Sequence, residues 1–519
     1  MRLWDILDRE QRPSDDLPIY TAAGTRERDN RTISSGVPGL LLMERAGQHV
    51  AKAALELYPG TGHVAVVAGK GNNGGDGLVA ARMLAVAGVP VRVVLTDARG
   101  LAGDAATNLE ALRGYPVEVL DLEEVDRTLA GAGVVIDAVL GTGISGSPRG
   151  AAARAIEAVN RSKAPVVAVD VPSGLGADDG RAPGPCVEAD ITVTMGNLKP
   201  GLVLYPGKVY AGEVVVADIG LLEGGEPWGF FTGPRSVARN LPPRPIDAHK
   251  GSCGRLLVVA GSTGMTGAAA LTAAAALRAG AGVVTLAVPA SLNPILEEKL
   301  TEVMTYPLPE VLGGRGVVLS QAAVDPVLDL ARDYDAVVLG PGLGREPETM
   351  ELVRRLAAEI EVPLALDADG LVAFAGRPGE LAARRAATVL TPHPGEAAIL
   401  TGLSVREVQA SRPVLVTRLA DETGAAVLLK GHPTLAASPG EALRVNSTGG
   451  PALATAGSGD VLSGILGALL AAGVDPFRAA WSAAYIHGAA GDLVAGEKGA
   501  YSVIASDLVE ALGDVLRGL

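Results

Sequence analysis

Near the end of the chain, Ala456-Gly457-Ser458-Gly459-Asp460 opens an apolar stretch of helical character. Successive backbone N–H groups at a helix mouth form a hole for an anion, and an aspartate placed there can take a proton from a hydroxyl. That pairing suits phosphoryl transfer to an alcohol, where positioning and charge neutralisation do most of the catalysis. Asp460 is the expected base, and Gly459 belongs to the turn that steadies developing charge. Upstream, Thr391-Pro392-His393-Pro394-Gly395-Glu396 and Lys430-Gly431-His432-Pro433-Thr434 each follow a strand-like run. A lysine with a turn of free amides suits a nucleotide phosphate. Lysine is scarce, nine against 35 arginines, so a lysine at a strand exit is less readily read as a generic surface cation. His249-Lys250-Gly251 and Gly340-Pro341-Gly342-Leu343-Gly344 complete a cleft edge. None of the six histidines has zinc-site spacing such as HExxH.

The first half carries a second set. The run His63–Ala68 enters Gly69-Lys70-Gly71-Asn72-Asn73-Gly74-Gly75-Asp76-Gly77, a glycine loop expected to precede a helix over Gly77–Ala87. Its spacing fits neither GxGxxG nor GxxxxGK[ST]. Val134–Leu140 contains Asp137 and exits into Gly141-Thr142-Gly143-Ile144-Ser145-Gly146, and Val166–Val171 leads through Asp170 to Ser173 and Gly174. In a parallel sheet the strand C-termini share one edge, where ligands bind. Asn73, Asp137 and Ser173 are thus candidate oxygen ligands for a hard cation, and a single carboxylate favours a monovalent ion. Asp170 is left for acid–base work, with Lys199 its candidate partner. A tight βα turn, a helix cap and a surface lysine are the plain structural alternatives.

Short β-branched runs alternating with Ala/Leu-rich stretches must position these residues. Strands are expected at His63–Ala68, Val91–Thr96, Val117–Leu120, Val134–Leu140, Val166–Val171, Ile191–Met195 and Val214–Ala217, with a helix over Gly39–Leu57. After an aperiodic Pro/Gly-rich stretch, 222–247, read as a linker, they resume at Leu256–Ala260, Val283–Val288, Ala336–Leu339, Leu364–Leu366, Thr388–Leu390 and Ala426–Leu429. Three helices close the chain, near Gly459–Ala472, Pro476–Val494 and Ala505–Leu516. Alternation of this kind predicts an α/β layer fold with parallel sheets, in domains at 1–221 and 248–519. With 48% hydrophobic residues and a net charge of −14, the 519-residue chain has ample core and a field that repels nucleic acid and anionic lipid. Two cysteines make no disulfide framework. The charged N-terminus lacks a signal-peptide core, and no apolar run reaches the ~18 residues of a membrane span. The expected home is the cytoplasm.

Taken in order, GNNGGDG, DAVLGTG and DVPSG resemble NAD(P)H-hydrate epimerases. HKGSCGRLLVVAGS, GPGLG, TPHPGE, KGHPT and GSGD resemble the ADP-dependent NAD(P)H-hydrate dehydratase branch of the ribokinase-like superfamily, with His393 where general members carry Asn. Ser458 stands where threonine is frequent, and the first 30 residues match no motif of the family. The resemblance covers nearly the whole chain, as in the bacterial enzymes that fuse the two. It implies an N-terminal Rossmann-like three-layer sandwich and a C-terminal ribokinase-like α/β domain, joined in a homo-oligomer. It implies substrate phosphates over Asn72, Asn73, Gly74, Gly75, Asp76 and Gly141, Thr142, Gly143, Ile144, Ser145, Gly146, Ser147, with Asp170 and Lys199 moving protons. Potassium would sit at Asn73, Asp137 and Ser173. In the second half it implies a hydrate site at Ala268, Gly342, Gly344, His393 and Asp460, and a nucleotide site, for ADP, at Lys430, Gly431, His432, Pro433, Thr434 and Gly459. Magnesium would accompany the nucleotide, with Glu396 its candidate ligand. A small-molecule kinase for a vitamin-like alcohol, with a non-catalytic first half, is the competing expectation.

Overall fold

The computed structural model describes residues 16–97, 100–143 and 146–519. These form two compact units, Leu17–Gly229 and Phe230–Leu519. After the short β1 (Leu17–Ile19), the first unit holds β2 (His63–Ala68), β3 (Val91–Leu95), β4 (Val117–Asp121), β5 (Ala132–Ala138), β6 (Val166–Val169), β7 (Ile191–Met195) and β8 (Glu213–Ala217). The last seven make one parallel sheet in the order β4-β3-β2-β5-β6-β7-β8. Period-2 geometry explains the unbroken apolar run of β2. Val64, Val66 and Ala68 enter the core on one face of the sheet, and Ala65 and Val67 the core on the other. Helices α1 (Ala22–Ser34), α2 (Gly39–Leu57) and α3 (Asn72–Val86) lie in this unit. The chain steps outward from β2 to β4, then returns to the other side of β2 as β5. This reversal opens a crevice beyond the C-terminal ends of β2 and β5.

In the second unit the strands are β9 (Gly229–Phe231), β10 (Arg255–Val259), β11 (Val283–Pro289), β12 (Met304–Leu308), the hairpin β13 (Glu310–Gly313) and β14 (Gly316–Leu319), β15 (Ala336–Leu339), β16 (Leu364–Leu366), β17 (Thr388–Leu390), β18 (Ala426–Leu429), β19 (Leu435–Ala437) and β20 (Leu443–Val445). Their main-sheet order is β9-β20-β19-β18-β17-β16-β15-β10-β11-β12. It is parallel from β18 to β12 and antiparallel from β18 to β20. The same reversal recurs between β10 and β15. Helices α4 (Thr266–Arg278), α5 (Pro394–Thr401), α6 (Arg412–Thr423), α7 (Ser458–Ala471), α8 (Pro476–Lys498) and α9 (Ala505–Gly518) follow. Helix α7 lies close on the sheet because Gly467 has no side chain: a Cβ there would stand 2.6 Å from Val338 and 2.8 Å from Leu256. Among the described residues no helix is long and apolar enough to cross a membrane.

Three features differ from the sequence expectation. Asn72–Asp76 is the first turn and a half of α3, not a loop before it. Its glycines serve close packing: a Cβ on Gly74 would meet the Gly69 carbonyl oxygen at 1.9 Å, on Gly75 the Met43 sulfur at 2.6 Å, and on Gly77 the Ala138 Cβ at 2.5 Å. Short strands β9, β12 to β14, β19 and β20 gave no periodic signal. Of these, β12 is an edge strand that contains Pro307 and is largely exposed. The stretch 222–247 contains β9 and a helix over Pro234–Asn240, and the two units divide inside it, between Gly229 and Phe230.

Gly74→Ala is expected to destabilise the first unit by about 2 kcal/mol, the usual scale for overpacking. Gly71→Ala is expected to change little, since nothing lies within 4 Å of its Cβ position. Urea unfolding of the two variants checks the contrast.

Candidate functional sites

In the first unit, Asp170 follows β6 with φ of 65°, a left-handed conformation that non-glycine residues rarely adopt. Its amide donates to the Val193 carbonyl at 2.7 Å. One carboxylate oxygen accepts from Lys199 Nζ at 2.5 Å, the Met195 amide at 3.2 Å and Thr194 Oγ1 at 3.3 Å. Lys199 is fully buried, and its ammonium also donates to Thr194 Oγ1 at 2.9 Å and the Met195 carbonyl at 3.0 Å. Three acceptors satisfy its three donors, so the charge stays buried without an orphaned N–H. A cavity of about 870 Å³ opens over this pair, on the scale of a small-molecule site.

Asn72, Asn73, Asp76, Gly141, Thr142, Gly143 and Asp170 all line that cavity. Gly74 and Gly75 do not; they are the packing glycines under α3. Nor do Gly146 and Ser147 line it; Ser147 Oγ donates to the Pro148 carbonyl at 3.4 Å. Ile144 and Ser145 lie outside the described residues. Lys199 sits behind Asp170 rather than in the cavity wall, which makes it the group that fixes and neutralises that carboxylate. Gly71 caps α3 without a side chain, leaving first-turn amides for an anion.

Asn73, Asp137 and Ser173 meet around Leu140. Ser173 donates to Asp137 from its amide at 2.8 Å and its hydroxyl at 2.6 Å, and its Oγ accepts from the Leu140 amide at 2.8 Å. Asn73 Nδ2 donates to the Leu140 carbonyl at 3.0 Å. Burial pushes the Asp137 carboxyl up to about 6, despite these donors. A buried carboxylate among neutral oxygens, short of countercharge, fits a monovalent cation.

In the second unit, Asp367 lies just past β16 and is buried. It accepts from Lys430 Nζ at 2.8 Å, Thr391 Oγ1 at 2.7 Å and Ser463 Oγ at 2.7 Å. Burial alone would raise its carboxyl, but the Lys430 charge and these donors hold it below its usual range. Burial would likewise lower Lys430, but Asp367 and Glu396, whose carboxylate is 3.6 Å away, keep the ammonium charged. A Cβ on Gly459 would stand 3.4 Å from Lys430 Nζ, so this ammonium sits at the mouth of α7. Asp460 follows in that first turn. Burial and then the Asp367 charge push its carboxyl up to about 7, against the pull of Lys430. Such a group suits a general base at neutral pH. Ser458 Oγ lies 3.0 Å from Nε2 of His487, whose imidazole burial holds down at about 4, hence neutral.

His393 caps α5: its Nδ1 accepts from the amides of Gly395 at 2.9 Å and Glu396 at 3.2 Å, while the Glu396 carboxylate accepts from the His393 amide at 2.8 Å. The ring is half exposed. Glu396 is thus tied to the cap and lies 3.6 Å from the Lys430 ammonium. Ala268 and Gly342 adjoin, a Cβ on Gly342 standing 3.2 Å from that of Ala268, and the Gly344 amide donates to Asp369 at 3.0 Å. Beyond Lys430, Gly431 and His432 are exposed, Pro433 is buried, and Thr434 Oγ1 donates to the Gly431 carbonyl at 3.0 Å. Arg412 from α6 holds this turn by donating to the carbonyls of Leu429, Lys430 and Pro433. Asp367, Ser463, His487 and Arg412 were absent from the sequence-derived set, and Thr391 entered it only as the first residue of TPHPGE. The strand-end rule that found Asp137 applies equally to Asp367.

Fold and sites together define a two-unit α/β enzyme, each unit placing acid–base groups beside a lysine at a strand edge. Residues 39–201 match the family model described as YjeF-related protein N-terminus, and residues 256–513 the one described as NAD(P)H-hydrate dehydratase. The bifunctional NAD(P)H-hydrate repair enzyme of Moorella thermoacetica is 42% identical over 516 residues, covering 96% of this chain and 97% of the relative. That of Escherichia coli K12 is 35% identical, with 92% and 89% covered. A solved ADP/ATP-dependent NAD(P)H-hydrate dehydratase from Bacillus subtilis is 31% identical over 56% of this chain and 98% of that one, with a TM-score of 0.48. The chain belongs to the family of bifunctional NAD(P)H-hydrate repair enzymes.

Lys430→Met leaves Asp367 buried without countercharge and is expected to destabilise the second unit by about 3 kcal/mol. Adding Asp367→Ser to it is expected to recover much of that loss. Denaturant unfolding of the single and double variants reads the coupling directly.

Proposed function

We propose that this chain repairs hydrated NADH and NADPH, the first unit interconverting the R and S hydrates and the second dehydrating the S hydrate with ADP. The observation that carries the second activity is Asp460, raised to about 7 in the first turn of α7 and flanked by the Lys430 ammonium. Asp460 takes the proton of the ring hydroxyl as its oxygen attacks the terminal phosphorus of ADP, and AMP leaves. Lys430 and the α7 amides, Gly459 included, stabilise the charge on the phosphoryl oxygens. Hydroxide leaves poorly and phosphate well. The ring nitrogen's lone pair then expels phosphate, and loss of a proton from the neighbouring carbon restores the double bond. Gly431–Thr434 holds the AMP portion, and Ala268, Gly342, Gly344 and His393 face the hydrate. Magnesium would travel on the nucleotide phosphates with water, the habit of that ion.

In the first unit, the α3 amides with Asn72, Asn73 and Thr142 hold substrate phosphate, and Asp170, fixed by Lys199, moves protons at the ring. Potassium is supported at Asn73, Asp137 and Ser173, where it would supply the countercharge that Asp137 lacks. The reading places the protein in the cytoplasm as a homo-oligomer, without nucleic-acid or membrane partners. His393 in place of asparagine, together with the fused first half, set the repair reading apart from the competing kinase reading. Since asparagine caps a helix as well as this histidine does, the products must decide: AMP with free phosphate supports repair, whereas an accumulating phosphorylated alcohol supports a kinase.

Recovery of absorbance at 340 nm from S hydrate and ADP is expected to rise with pH through a midpoint near 7, as Asp460 loses its proton. Asp460→Asn is expected to lower kcat by about 10²-fold or more. Potassium is testable without turnover. A carboxyl raised from 3.8 to about 6 holds its proton more tightly folded than unfolded, so Asp137 costs stability progressively as pH rises across that window. Potassium is therefore expected to raise the melting temperature more at pH 8 than at pH 4, and Asp137→Asn to abolish the difference.

A further inference from the structure

Helix α1 contributes to the first unit's cavity, although it precedes residues 39–201, which the family model matches. Asn197 fastens it beside the Asp170–Lys199 pair. Arg28 Nη1 donates to Asn197 Oδ1 at 3.1 Å, and Asn197 Nδ2 donates to Thr25 Oγ1 at 3.1 Å. Just before the helix, the Tyr20 amide donates to the Leu198 carbonyl at 2.9 Å. Lys199 is the next residue. Asp29, adjoining Arg28, lines the same cavity as Asp76 and Asp170. Among the described residues none donates a hydrogen bond to the Asp29 carboxylate, so the latch at Thr25 and Arg28 accounts for the helix's seat without it.

Three carboxylates thus face one lysine. Lys199 places its ammonium against Asp170, Thr194 and the Met195 carbonyl, so Asp170 takes the countercharge. Asp29 and Asp76 are left with like-charged neighbours in a partly dry pocket, where carboxylates cannot all ionise. Burial and the Asp170 charge raise Asp29 against the pull of Lys199 and Arg28; burial, Asp170 and Asp29 raise Asp76 further.

We propose that Asp29 is a catalytic acid of the epimerisation, working in the same cavity as Asp170. This rests on the epimerase reading of the first unit. Asp29 gives its proton to the ring hydroxyl, which leaves as water while the ring nitrogen's lone pair forms a C=N bond. Water adds to that carbon from the opposite face, and its proton passes to Asp170. Asp29 ends ionised and Asp170 protonated, the state that runs the reverse direction, so the pair serves both epimers with water as the only co-reactant. Asp76, raised by burial and by the Asp170 and Asp29 charges, lines the same cavity.

The test starts from one purified NADH hydrate epimer and follows the epimer ratio by chromatography without ADP. Wild type, Asp29→Asn and Asp170→Asn are compared across pH, with urea unfolding of each variant showing that the first unit is folded and dehydration of S hydrate measuring the amount of protein. Asp29→Asn is expected to lower kcat by about 10²-fold, leave KM within a few-fold and leave dehydration unchanged. The wild-type rate is expected to fall at high pH as Asp29 ionises, which reads the same proton without a substitution. A rate within threefold of wild type in Asp29→Asn, or a wild-type rate flat to pH 9, overturns the inference while Asp170→Asn still tests the epimerase reading. A wild-type protein that leaves the epimer ratio unchanged overturns both.

Discussion

A lysine ammonium can stay charged away from water only when acceptors meet all its protons and a carboxylate balances it. Both units are organised around that constraint. Lys199 against Asp170 and Lys430 against Asp367 each join a strand-end carboxylate to a lysine arriving from elsewhere in the chain, at ion-pair distances of 2.5 and 2.8 Å. Once each pair is neutral, further carboxylates nearby have no countercharge and hold their protons more tightly. Asp76 and Asp29 in the first unit, and Asp460 in the second, are raised for this reason together with burial. The same lysines hold Asp170 and Asp367 at the strand ends, while burial and those paired carboxylates raise the groups around them.

Backbone proximity is the second requirement, and glycine meets it. Gly77 lets α3 sit against β5 and Gly75 against Met43 of α2, while Gly74 lets the helix close on the Gly69 carbonyl and Gly69 on that of Val139. Gly464 lets α7 approach the α4 backbone, a Cβ there standing 2.2 Å from the Thr272 carbonyl oxygen. These contacts bring helix mouths down onto the strand ends, which puts first-turn amides and side chains such as Asn73 and Asp460 at the sheet edge rather than above it.

Most of the strands and the three closing helices were legible in sequence because β-branched runs buried on both faces and long apolar helices carry strong local signals. The edge strand β12 and three-residue strands such as β19 carry little, since tertiary pairing rather than local pattern decides them. At the sites, Asp137, Asp170, Asp460 and Lys430 stood out beside glycine clusters or as rare lysines. Asp367 was passed over because it ends a plain strand with no glycine loop, and His487 because it lies mid-helix, where an isolated histidine reads as core. Asn72–Asp76 was recognised as chemically important but assigned to a loop. Glycine clusters signal backbone approach, and sequence does not say whether a turn or a helix makes it.

Two activities meet in one chain. The direct measurement mixes the protein with a scrambled R/S NADH hydrate, ADP and Mg²⁺ and follows absorbance at 340 nm. Recovery that passes the S fraction, depends on ADP and outpaces spontaneous epimerisation is the predicted result. Recovery that halts at the S fraction would contradict the role given to the first unit, and no recovery with either ADP or ATP would contradict the repair reading altogether.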